Sequence, residues 1–141
     1  MLSNLLFGAS SEFREKMRKE KLLTGLYKEW ESIEGFKTFY LMANSTEVDK
    51  LEKEILDVFK NMNIDENSFN RTKKVWTSRE IKAIDNIDYT VDKIYSDVLN
   101  YKKVINNRLD MIKNMKFKVL KDLIKKIDFT NISVVKMDKN K

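Results

Sequence analysis

Ile84, Val91, Val98, Ile105, Ile112 and Val119 stand seven residues apart in a chain of 141 residues that contains no proline. A seven-residue apolar repeat marks one face of a helix, and without proline nothing in the chain removes a backbone donor. Ile87, Ile94 and Tyr101 occupy the first three companion positions, so the span from Ile84 to Ile105 reads as the seam of a coiled coil. Beyond Tyr101 the companion series fails at Arg108 and Asp122, and apolar residues return one place later at Leu109 and Leu123. That drift suits a straight helix packed against a fixed neighbour.

Thr77 followed by Glu80 is a capping-box pattern, which sets the expected helix start. Helical periodicity then runs over 78–127, some fifty residues or roughly 75 Å. Asn106 and Asn107 mark the weakest point of that helix, because asparagine side chains compete for backbone hydrogen bonds. Earlier, Leu22, Leu23, Leu26, Trp30 and Ile33 share one face at helical spacing, which predicts a helix over 11–43. The pattern weakens at Gly35, and "FKTFYLM" either continues that helix or turns a corner. Val48, Leu51, Ile55, Val58, Phe59 and Met62 predict a second helix over 46–62, with Asp49 and Lys53, and Lys50 and Glu54, paired on its outer side. "NMNIDENSFN" has the composition of a loop, and Phe69, Val75 and Trp76 suit a short turn plugging the core. The expected fold class is all-α: one helical bundle domain spanning 1–141, with one long C-terminal amphipathic helix, partly coiled-coil-like, and a tail at 128–141.

Composition removes most enzyme chemistry. No cysteine and no histidine means no disulfide, thiolate nucleophile, imidazole base or nitrogen- or sulfur-ligated zinc site. Gly8, Gly25 and Gly35 are too scattered to cradle a phosphate. No spacing singles out a carboxylate pair as acid and base. The expectation is a non-enzyme with no cofactor and no metal. Leu2, Leu5, Leu6 and Phe7 form an apolar opening without a basic flank, expected to fray or to dock on the core, with a partner anchor as the sharper reading. No stretch has the length of a membrane span, so a soluble, cytoplasmic protein is expected.

Charge is unevenly distributed. Residues 80–101 carry five acids against two bases, net −3, whereas residues 102–141 carry twelve bases against four acids, net +8. Helix dipoles account for such asymmetry only within the terminal turns. Lys103, Arg108, Lys118, Lys121, Lys125 and Lys126 lie opposite the apolar stripe, making a basic face that suits nucleic-acid phosphate, an anionic surface or the acidic half of another copy. The tail "FTNISVVKMDKNK" favours extended structure and has no strand partner in this reading.

The sequence therefore reads as a non-catalytic interaction or assembly protein of the kind found in phages or mobile elements. It is expected to form a homo-oligomer or bind a protein partner through Ile84, Ile87, Val91, Ile94, Val98, Tyr101 and Ile105. The alternatives are a nucleic-acid-binding accessory protein using the basic face, or an inhibitor or adaptor of another protein. Opposite charges on the two halves of the long helix favour antiparallel or staggered pairing over parallel pairing.

Overall fold

The computed structural model describes residues 1–33, 36–128 and 130–137. Among these, the chain forms α1 (Leu2–Phe7), α2 (Glu12–Lys19), β1 (Gly25–Ile33), β2 (Phe36–Asn44), α3 (Val48–Asn61), α4 (Glu66–Ile84), α5 (Ile87–Tyr101), α6 (Arg108–Asn114) and α7 (Phe117–Ile124). The fold is mostly helical but is not all-α, and it holds no single long helix.

The first correction concerns 11–43. Ser11 caps α2 by accepting from Arg14 N at 3.2 Å, and Glu12 and Glu15 in the first turn oppose Lys16, Arg18 and Lys19 in the last, as the helix dipole favours. The helix stops after two turns because Lys21 adopts a left-handed conformation at φ 55°, and Leu22 N returns to Met17 O at 3.0 Å. That return drives Leu22 into the core, where it is buried beside Met17.

Residues 25–44 then form an antiparallel hairpin in the register Gly25↔Asn44 to Ile33↔Phe36. Leu26 and Lys28, and Phe39, Leu41 and Ala43, are half-buried, while Tyr27, Glu29, Tyr40 and Met42 are exposed, a period of two. Leu26, Trp30 and Ile33 fitted helical spacing, but aromatic cross-strand contact won: Trp30 faces Phe39 with ring centroids 5.0 Å apart. The weakening of pattern noted at Gly35 lies outside the described residues.

Phe7 is fully buried at the centre of the N-terminal half. Its ring lies 5.1 Å from Phe13, 6.0 Å from Phe39 and 5.3 Å from Phe59, so α1, α2, the hairpin and α3 meet on one aromatic side chain. The opening segment is thus docked on the core. The segment read as a helix over 46–62 is α3, whose Leu51, Ile55, Val58 and Phe59 cover that core. Its charges reach across the fold, with Glu54 pairing to Lys16 at 2.5 Å and Lys50 to Glu20 at 3.4 Å.

The second correction concerns 78–127. α4 starts twelve residues earlier than the Thr77 pattern suggests, because Asp65 Oδ1 accepts from Ser68 N at 2.8 Å and Glu66 supplies first-turn acid. Thr77 sits inside this helix. Asn86 Oδ1 then accepts from Tyr89 N at 2.9 Å, a new cap that ends α4 and starts α5 in the middle of the seven-residue series. Lys102, at φ 55°, closes α5 with its N–H on Val98 O, and residues 102–107, with Asn106 and Asn107 among them, connect to α6. The Asn86 cap, the left-handed Lys102 and the break at Met115 and Lys116 thus divide the apolar stripe over four helices. A smaller core of Phe69, Ile112 and Leu120 joins α4, α6 and α7, with Phe69 and Phe117 5.5 Å apart.

The tail leaves α7 without regular structure over the described residues 130–137 and returns to α3, where Lys136 Nζ lies 2.8 Å from both Asp49 Oδ1 and Glu52 Oε2. Among the described residues no helix is long and apolar enough to cross a membrane.

Candidate interaction site

α5 docks on the protein by its polar side. Its one buried residue is Asp97, at 3% exposure. Oδ1 of Asp97 accepts from Arg108 Nη2 at the start of α6, and Oδ2 accepts from Ile105 N at 3.1 Å. One turn earlier, Lys93 Nζ donates to Glu80 Oε1 on α4. Four charged side chains from three helices therefore hold α4, α5 and α6 together.

Burial pushes the Asp97 carboxyl up, but the hydrogen bonds from Arg108 and Ile105 and the charges of Arg108 and Lys93 outweigh it, leaving the pKa below the usual carboxylate value. Lys93 is lowered by burial first and by the nearby Arg108 charge second, with Asp97 acting in the other direction. Arg108 Nε and Trp76 Nε1 are buried without a hydrogen-bond partner, each a local cost of about 1–3 kcal/mol.

With Lys93 and Asp97 turned inward, the apolar side of α5 faces out. Ile87, Val91, Ile94, Val98 and Tyr101 lie within an arc of about 80°, and Asp97 lies about 80° round from its centre. Those five side chains are between 43% and 79% exposed. Tyr95 and Leu99 widen the apolar surface on the edge away from Asp97, with Asp88 between them around the helix and Asp92 beyond. Ile84, at the end of α4, is exposed beside the break, and Ile105 is half-buried in the connection to α6. Of the seven residues predicted to form one seam, five form a face, and the flanking two fall on other elements.

The basic face divides in the same way. Lys118, Lys121 and Lys125 line a groove of about 1020 Å³ between α4 and the α6–α7 segment. Arg108 is engaged with Asp97, Lys103 stands exposed in the 102–107 connection, and Lys126 is exposed just past α7. Sequence reasoning missed Glu80, Lys93 and Asp97 as structural partners. Lys93 and Asp97 do stand four apart on one helical face, the signal that would have marked that face as engaged.

Among the described residues no group of three or more carboxylate, histidine or cysteine side chains is arranged to hold a metal ion.

No family model matches the chain, and no curated protein matches it. Among solved structures, the crystal structure of a protein from Alicyclobacillus acidocaldarius, described as an M16-like peptidase, is similar with a TM-score of 0.76 at 21% identity. The match covers 88% of this chain and 31% of that one, so this chain spans about a third of that protein's length. The likeness shows a shared fold: most of this arrangement of helices and a hairpin also occurs as part of a larger protein. The peptidase description belongs to that protein, and this chain contains no histidine from which a histidine-ligated zinc site is made.

Proposed function

We propose that this protein is a non-catalytic interaction module that self-associates through the exposed face of α5. One observation carries the reading: the most apolar side of α5 is turned to solvent while Asp97 and Lys93 on its polar side are turned inward. Contiguous exposed apolar surface of this kind marks interaction sites in soluble proteins. A face with no charge at its centre is complementary to itself, which suits a twofold interface between two copies.

The rim charges favour antiparallel contact of the two α5 helices. α5 is about 22 Å long, so antiparallel pairing sets Asp85 and Asp88 of one copy beside Lys102 and Lys103 of the other. Each such exposed pair contributes under about 1 kcal/mol, enough to choose between otherwise similar packings. Light scattering of the full chain at two concentrations tests the reading. The mass should rise with concentration, and Val91→Asp with Val98→Asp should hold it at that of the monomer with unchanged helical content, because charge enters a dry seam. A wild-type monomer at high micromolar concentration would refute self-association. Spin labels at position 86 of both copies distinguish the orientations, at about 20 Å for antiparallel and about 10 Å for parallel helices.

A further inference from the structure

A second surface owes nothing to the α5 face. The groove between α4 and the α6–α7 segment is lined by six lysines, Lys73, Lys113, Lys116, Lys118, Lys121 and Lys125, against two acids, Glu66 and Asp122. Like charges gathered around one concavity repel, and low-dielectric walls concentrate the field, so the groove attracts anions along its length. We infer that the groove holds the phosphate backbone of a single-stranded nucleic acid.

Lys73 has a structural assignment: its Nζ donates to Lys113 O at 3.3 Å and Met115 O at 3.2 Å, satisfying carbonyls at the end of α6. The other five lysines of the groove remain for a ligand. α7 adds to the field, since it opens with Lys116 at its cap position, no side-chain cap and no first-turn acid. Base stands there where a helix dipole favours acid, and a phosphate at this place would complement both the lysines and the first-turn N–H groups.

The choice of ligand follows from where the apolar surface lies. Val119 and Leu123, the exposed apolar residues of α7, are on the helix side away from Lys118, Lys121 and Lys125. Phe69 is buried, while Met115 and Phe117 are half-buried in the wall with Lys121 Nζ 4.9 Å from the centre of the Phe117 ring, so the groove sets its lysines beside a partly open aromatic surface. A single strand matches both features, its phosphates meeting the repeated lysine charge and a base stacking on the Phe117 ring.

Fluorescence anisotropy of the full chain with a labelled, mixed-sequence single strand of about twenty nucleotides, as RNA and as DNA, tests the inference. With five phosphate contacts, affinity should fall about 100-fold between about 50 and 200 mM salt. Lys118→Glu with Lys121→Glu should weaken binding by roughly tenfold or more, while the charge-matched Lys53→Glu with Lys60→Glu on the exposed side of α3 should weaken it less than about threefold. Circular dichroism confirms that both variants are folded. No binding at the lower salt, or an equal loss in both variants, overturns the inference. So does poly-glutamate that competes as well as the oligonucleotide at equal charge, which would reassign the groove to an acidic polypeptide.

Discussion

The two halves of the molecule solve the same problem in opposite ways. Residues 1–64 bury their large apolar groups: four phenylalanines from α1, α2, β2 and α3 meet within 5.1 to 6.1 Å, and the charged residues stand around them. Residues 66–124 enclose only Phe69, Ile112 and Leu120, hold α5 by ion pairs, and leave isoleucine, valine and tyrosine in solvent. An aromatic core is the centre of the first half, with ion pairs such as Lys16–Glu54 at its edge. In the second, hydrogen-bonded charge positions a helix while its apolar side stays exposed, and the proposed self-association rests on that difference.

The largest change should come from the N-terminal centre. Phe7→Ala removes the ring that α1, α2, the hairpin and α3 share and should destabilise the protein by about 3–5 kcal/mol, read as a lower urea midpoint. A change under about 1 kcal/mol would show that the rings of Phe13, Phe39 and Phe59 close the gap and that the two halves differ less than their exposures suggest.

Arg108→Ala should come next, at about 2–3 kcal/mol. It strands the buried Asp97 carboxylate, and the loss is moderated because the arginine side chain is 31% exposed. The effect should be local: amide exchange across 87–101 should accelerate more than exchange in α3. The same pair predicts a pH dependence. Asp97 has its folded pKa below the unfolded value of about 3.9, so its contribution is complete above about pH 4 and is lost as pH falls through the folded value. Acid should therefore release α5 before it opens the aromatic core, and simultaneous loss of both would erase the distinction between the halves.

Gly8→Ala should cost about 1–2 kcal/mol. A Cβ at Gly8 would collide with the Asn4 carbonyl oxygen, and α1 would have to shift against Phe13 and Phe39. Thermal denaturation should show this as a lower midpoint. The smallest effect on the isolated fold should follow Val91→Asp with Val98→Asp, within about 0.5 kcal/mol per site, since both positions are exposed. Denaturation at low protein concentration reads this directly; a loss comparable to that of Phe7→Ala would mean that the α5 face is packed after all.

Much of the local structure was legible in the residues themselves. α3 shows a narrow apolar stripe, Asn106 and Asn107 fall in a real break, and Val91, Ile94 and Val98 do share one helical face, because each of these depends on neighbours a few residues away. The hairpin was hidden because Leu26, Trp30 and Ile33 satisfy helical spacing, while Leu26 and Trp30 also fit strand alternation, and the pairing of Trp30 with Phe39 separates the two. The helix caps at Asp65 and Asn86 were visible as residue types, yet the loop-like composition around Asp65 and the seven-residue apolar repeat running through Asn86 outweighed them. Which side of α5 faces inward was not a local property at all. It depends on Asp97 meeting Arg108 and Lys93 meeting Glu80, contacts made only after the chain has turned twice. Sequence alone determined that residues 87–101 form an amphipathic helix; tertiary structure decided that its charged side is the one buried, because a paired charge is tolerated inside the fold and an unpaired one is not.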